Sequence, residues 1–234
     1  MTGSLLATEA LTEAHRAAMF TLLDAHFEGV TRAQFEADLR RKNWVVLLND
    51  GPALLGFSTL LIRPAKVDGE SFVAVYSGDT IVAPAAWNSF AFPRAWIHAV
   101  YSLRARFPDG RFIWLLLTSG YRTYRFLPVF WREFYPRVGV ITPELWTTRL
   151  RELASKEYGP QFDPSSSIVR LANPQRLRGA ANQIPEGRTK DPHVAFFLER
   201  NPGHTNGDEL VCIADLSPEN LTAAGRRIVY GAGG

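Results

Sequence analysis

The chain has 234 residues, 46% of them hydrophobic and 12% aromatic, with a formal net charge of +3 and one cysteine, Cys212. That length can bury a core without staples, and one cysteine excludes a disulfide framework or a cysteine-based zinc site. The arginines are scattered rather than run together, which excludes a basic nucleic-acid arm. No apolar run reaches about 18 residues, and the first segment carries Glu9, Glu13, His15 and Arg16, so neither a membrane span nor a secretory leader is expected and a cytoplasmic location follows.

Residues 8–28 repeat apolar positions with helical period (Leu11, Ala14, Ala18, Leu22, Ala25), with Thr12 as a cap and Gly29 as the stop. Thr31 reads as the N-cap of a second helix over 32–42, built around Phe35 and Leu39. The pattern then changes: Trp44–Leu48 is a strand, Asn49-Asp50-Gly51 a tight turn, and Ala53–Ile62 the returning strand, ended by Pro64. A third strand runs from Phe72 to Val82 and stops at Pro84, which makes a three-strand antiparallel meander. A helix over 89–107 carries Phe92, Trp96, Ala99, Val100 and Leu103 on one side and breaks at Pro108-Asp109-Gly110. Phe112–Thr118 is apolar on both faces, which predicts a central, parallel position reached through that helix.

Residues 121–137 read as a short helix or turns interrupted by Pro128, and 143–158 as a helix with Leu145, Leu150 and Leu153 inward. Strands are expected at Ile168–Leu171, Val194–Leu198 and Leu210–Ala214, with Cys212 in the core. Ser217 would cap a closing helix, and Gly231–Gly234 would fray. His98 reads as a buried core histidine. His193 and His204 fit no metal spacing and read as parts of a polar turn, so no metal site is expected. The nucleophile elbow, the P-loop and the dinucleotide-binding glycine signature are all absent.

This element order, with the Asn49-Asp50-Gly51 turn, the Gly56-Phe57 pair and the Val82-x-Pro84 strand end, resembles the GNAT N-acyltransferase family over about residues 5–137. The resemblance implies an α/β (α+β) fold: a mixed, mostly antiparallel central sheet flanked by helices, as a core over 1–140 with a C-terminal extension over 141–234 packed on it. It also implies an activity, transfer of an acyl group from a pantetheine thioester, on coenzyme A or an acyl carrier protein, to an amine. The co-substrate would be acetyl-CoA or another acyl thioester. The expected partners are a small-molecule amine or amino acid, a carrier protein as one source of the donor and a second copy of the chain in a homodimer, with no nucleic acid and no membrane.

The family usually reads Arg or Gln, two residues, Gly, one residue, Gly or Ala at the start of its third helix, where backbone amides cradle a pyrophosphate. Here the segment Ala85-Ala86-Trp87-Asn88-Ser89-Phe90-Ala91-Phe92 has no glycine. The resemblance places the donor against Val82, Trp87, Asn88 and Ser89, and substrate against Tyr76, Ser77, Gly78, Ser119 and Tyr121. It makes Gly78 a strand bulge, Asp79 the group that takes the acceptor proton, and Tyr124, with Tyr135 as the alternative, the acid that protonates the leaving thiolate. Each has a plainer reading: Asp79 as a structural pair, Tyr124 as aromatic packing and Ser119 as a turn cap. Two other functions stay open on the same scaffold, a non-catalytic ligand-binding module and a thioester decarboxylase or hydrolase.

Overall fold

A computed structural model describes residues 1–87, 89–107, 110–179 and 183–231. Asn88, the Pro108-Asp109 break and the end from Ala232 to Gly234 lie outside the described residues. The chain opens with a strand that the sequence reading did not expect, β1 (Thr2–Ala7). Helix α1 (Glu13–His26) begins only after Thr12, whose hydroxyl accepts the His15 N–H at 3.2 Å while its own N–H donates to His15 Nδ1 at 3.3 Å. A short β2 (Phe27–Glu28) follows, then α2 (Arg32–Arg40), capped by Thr31 as expected.

The meander forms as β3 (Trp44–Asp50), β4 (Ala53–Val67) and β5 (Glu70–Val82). Pro64 does not end β4. It pairs with Val73, whose N–H turns away from β4 to the carbonyl of Arg111, so the pair exchanges no hydrogen bonds and Pro64 needs no donor there. Gly56 in β4 is required by closeness: a Cβ there would stand 2.9 Å from the Ile81 carbonyl oxygen.

A single turn at Pro84–Ala86 leads to α3 (Ala91–Arg104), and β6 (Phe112–Thr118) follows with the predicted boundaries. Short helices α4 (Tyr121–Tyr124) and α5 (Phe126–Phe130), β7 (Phe134–Tyr135) and α6 (Glu144–Tyr158) come next. Leu145, expected inward, is exposed. Strands β8 (Phe162–Asp163), β9 (Ile168–Val169) and β10 (Arg176–Leu177) precede α7 (Pro192–Arg200). The expected strand at Val194–Leu198 is therefore helical: Asp191 caps it by accepting the His193 N–H, and Pro192 takes the first helical position, where its missing N–H costs nothing. The chain closes with β11 (Glu209–Asp215) and α8 (Ala223–Tyr230), whose cap is Thr222 and not Ser217.

Among the described residues, nine strands form one sheet in the order β1-β3-β4-β5-β6-β11-β9-β8, with β7 also on β11. Only β5 and β6 pair in parallel, across the α3 crossover; the rest is antiparallel. The class is mixed α/β, a mostly antiparallel sheet flanked by helices. β11, from the segment beyond residue 140, hydrogen-bonds β6 from Leu210↔Thr118 to Asp215↔Ile113.

Alternation along the strands sorts the core by face. Val73, Val75, Trp114, Leu116, Leu210 and Cys212 pack with α3 and α5, whereas Ala74, Tyr76, Ile113, Leu115, Val211 and Ile213 pack under α6. Helices α1 and α2 share the α6 face, over Val45, Leu47, Phe57 and Ile81. Burying each large apolar side chain of this kind contributes about 1.5–3 kcal/mol. No helix among the described residues is long and apolar enough to cross a membrane.

Candidate active site

Strands β5 and β6 stay paired from Val73↔Phe112 to Ser77↔Leu116 and then part. The cause lies on the other edge of β5. Phe57 faces Ile81 and Thr59 faces Gly78, so β5 carries one residue more than β4 in that interval. The left-handed residue of this bulge is Asp79, with φ 42°. Gly78, expected to be the bulge, has no positive φ. A short polar side chain tolerates the left-handed region best after glycine, and Asp79 is held there by the Thr59 hydroxyl, which donates to the Gly78 carbonyl at 3.1 Å and to Asp79 Oδ2 at 3.2 Å.

On the α3 face of the splay lies a cavity of about 520 Å³. Its floor is apolar: Phe92, Trp96, Trp114, Leu116 and Phe126. Ser77 lines it too, and its Oγ accepts the Trp114 indole N–H at 2.8 Å. The rim is aromatic and basic. Arg122 stacks over Trp87, its guanidinium carbon 4.0 Å from the ring centroid, and Arg188 lines the same opening. Arg125 is there as well, paired to Asp191 at 3.0 Å. Leu177 and Pro185, from the C-terminal part, complete the wall, and β10 is held in place by antiparallel pairing with β2.

The opposite face of the splay is charged. Thr59 lies between two residues that turn to the α3 side: Ser58, hydrogen-bonded to Thr80, and Leu60, in the core there; Thr59 and Asp79 therefore face α1, α2 and α6. Glu209 precedes Leu210, which faces α3, so Glu209 also projects to the α6 face. Burial pushes its carboxyl up to about 8, with the nearby Asp79 charge adding and the Lys42 ammonium opposing. Asp79 is raised mainly by burial, against the pull of Lys42. Lys42 reaches this point from the end of α2: a Cβ on Gly78 would stand 3.6 Å from its Nζ. Beside the group, Glu157 ties Arg41 (2.7 Å) to Arg63 (2.8 Å), and Arg63 lies over the Tyr76 ring at 5.0 Å.

The expected site residues divide accordingly. Ser77, Tyr121, Val82, Trp87 and Ser89 line the cavity; Asn88 lies outside the described residues. Gly78 and Asp79 form the bulge behind it, and Tyr76 is buried under α6 beside Arg63. Ser119 makes no hydrogen bond in the turn after β6; Thr118 closes that turn, accepting the Gly120 N–H and donating to the Gly120 carbonyl. Tyr124 is not at the cleft. Its ring packs on Phe134, Phe196 and Phe197, its hydroxyl donates to the Pro136 carbonyl at 3.0 Å, and burial pushes its phenol far above the usual range. The tyrosine that faces the cavity is Tyr121. Sequence reasoning missed Lys42, Glu209, Trp114, Arg122 and Arg188.

The start of α3 differs from a phosphate cradle. The Trp87 and Ser89 amides donate to the Pro84 and Ala86 carbonyls, the Ala91 amide to Ser89 Oγ at 3.0 Å, and Pro93 has no N–H. Trp87 also takes the Val82 carbonyl with its indole N–H at 2.6 Å. Arg122, Arg125 and Arg188 are the arginines at this rim.

The meander, the bulged β5, the α3 crossover and the parted parallel pair give the chain a fold-level resemblance to GNAT N-acyltransferases. No family profile matches the chain, and no curated protein matches it. Solved structures that align include an aminoglycoside 6'-N-acetyltransferase complexed with coenzyme A, at 10% identity over 93% of this chain and 98% of that one, with a TM-score of 0.44. A conserved protein of unknown function from Enterococcus faecalis, described as a probable N-acyltransferase, aligns at 12% identity over 94% of this chain and 67% of that one, TM-score 0.44. An acyl-CoA N-acyltransferase from Pseudomonas aeruginosa aligns at 16% identity over 50% of this chain and 79% of that one, TM-score 0.40.

Proposed function

We propose that the protein transfers an acyl group from a pantetheine thioester to an amine. The observation that carries this reading is the parting of β5 and β6: it leaves an apolar slot on the α3 face and two carboxyl groups, Asp79 and Glu209, on the other. A thioester in the slot presents its carbonyl in the gap, and an amine meets it from the α6 face.

An amine enters as an ammonium ion and must lose a proton before it attacks. A carboxyl poised near neutral pH, with a second carboxylate beside it, suits that transfer. The carbonyl carbon gains a bond to nitrogen and loses its bond to sulfur; the ammonium proton goes to the Asp79 and Glu209 carboxyl groups, and the second proton, shed by nitrogen as the amide forms, makes up the one delivered to the thiolate. The Tyr121 hydroxyl, on the cavity wall, is the group offered to the leaving thiolate in place of Tyr124. Backbone freed by the bulge at Asp79 supplies polar groups toward the carbonyl oxygen.

The test is thiol release from acetyl- and octanoyl-coenzyme A, and from the matching acyl-pantetheines, against a panel of primary amines, with the amide identified by mass spectrometry. Amide formation in the native protein, lost in Asp79→Asn, is the expected result. Thiol release at the same rate without amine would replace the reading with thioester hydrolysis. Binding of every thioester without turnover would replace it with a binding module.

A further inference from the structure

The cavity mouth opens onto a surface that the cleft itself does not use. Phe90, just before α3, is 62% exposed and meets Phe130 edge to face, at 6.2 Å between centroids. Beyond it runs a groove between α3 and α8, lined by Phe90, Phe130 and Ile228 and by the side chains of Arg94, His98 and Arg227. His98, expected in the core, stands exposed in this groove. Arg122 and Arg188 line the cavity itself, whose wall includes Ser89, Phe92 and Pro93 on either side of Phe90 in the chain. Among the described residues, Arg94, Arg122, Arg188 and Arg227 form no ion pair within 4.0 Å, whereas Arg125 beside them does. Two guanidinium groups without an ion pair thus line the cavity of about 520 Å³, and two more line the groove that holds the exposed Phe90 ring.

We propose that this face docks an acidic acyl carrier protein, whose phosphopantetheine arm enters the cleft between β5 and β6. The inference rests on the reading of the cleft as a thioester site and narrows the donor. A free coenzyme A brings a nucleotide diphosphate, for which this glycine-free turn is poorly made: three of its amides, those of Trp87, Ser89 and Ala91, are already used, and Pro93 offers none. A single nucleotide at the mouth also leaves the Arg94–Arg227 groove uncovered. A carrier protein presents one phosphate diester at the base of its arm, within the province of Arg122 and Arg188, and an acidic helical surface for the remaining arginines and Phe90. Charge complementarity of this kind sets encounter rate and orientation.

Two measurements test it separately from the chemistry. The first is direct binding, by titration calorimetry at low and high salt, of several octanoyl-loaded bacterial acyl carrier proteins. The second is turnover of the same octanoyl group on carrier protein, coenzyme A and pantetheine with one amine. Binding that weakens with salt is expected, with kcat/KM for the carrier-bound donor at least about 100-fold above that for coenzyme A. In the Arg94→Glu/Arg227→Glu variant, KM for the carrier-bound donor should rise about tenfold or more while acyl-pantetheine turnover stays unchanged. Turnover of acyl-pantetheine without binding of any carrier protein overturns the docking surface and leaves the reaction standing. Carrier binding lost in the variant, with no turnover of any donor, upholds the surface and removes the reaction. Equal turnover of coenzyme A and carrier-bound donors, or a variant with unchanged carrier KM, overturns the proposal.

Discussion

Trp114 donates its indole N–H to Ser77 Oγ at 2.8 Å, and Ser77 faces Leu116 in the last pair before β5 and β6 separate. The bond fastens the two parallel strands at the root of the cleft, with both partners buried. Ser77→Ala leaves a buried N–H without an acceptor and should destabilise the protein by about 1–3 kcal/mol in denaturant unfolding. Trp114→Phe should make the loss of Ser77 much milder, and a double-mutant cycle reads the coupling. Additive effects would mean that the bond does not hold the strands.

Asp79 sits at φ 42° inside a strand. Asp79→Gly should relax the backbone and Asp79→Ala should not, because a Cβ costs about 1–2 kcal/mol in the left-handed region. The expected order of melting temperatures is Gly above Ala, with turnover lost in both. An alanine variant as stable as the glycine variant would show that the bulge is not strained.

The Glu209 carboxyl lies near 8, well above its value of about 4.3 in an unfolded chain. Between those values the folded protein binds more protons than the unfolded one, so stability falls as pH rises. Glu209 therefore favours the fold fully below about pH 4.3, and that contribution is lost as pH climbs through about 8. Glu209→Gln should flatten the decline in melting temperature across this window. An unchanged slope would place the charge penalty elsewhere.

Tyr124 and Tyr121 are separated by one variant each. Tyr124→Phe removes a hydroxyl that is already bonded to Pro136, so it should cost about 0.5–1.5 kcal/mol of stability and leave turnover intact. Tyr121→Phe should lower kcat with little change in melting temperature. The reverse pattern would restore Tyr124 to the chemistry.

Much of the frame can be read in the residues themselves. Asn49 to Gly51 marks a hairpin, Pro84 ends β5, and the doubly apolar Phe112–Thr118 places a central parallel strand. These signals are local, or depend only on which faces are buried. The misreadings have equally specific causes. β1 begins with the small residues Thr2-Gly3-Ser4 and pairs at the sheet edge with β3, so its pattern is weak. Val194–Leu198 is a short apolar run that fits either period, and the decision was in Asp191-Pro192 just before it. The site was harder. Asp79 could be singled out because it interrupts an apolar strand, but its partner Glu209 lies on a strand that joins the sheet from near the other end of the sequence. Lys42 looked like the basic end of a helix. Tyr124 and Tyr121 are three residues apart on one short helix, and only packing decides which hydroxyl reaches the cleft.

β11 seals the edge of β6 with residues that follow it by a long stretch of chain. On the ribosome, the apolar Phe112–Thr118 strand emerges while its second neighbour has yet to be made, and an unpaired apolar edge invites other strands. The nascent chain therefore passes through a stage with the cavity outlined, Glu209 missing and one apolar edge unpaired. The sheet is completed in a late step, when the closing strand zips into place.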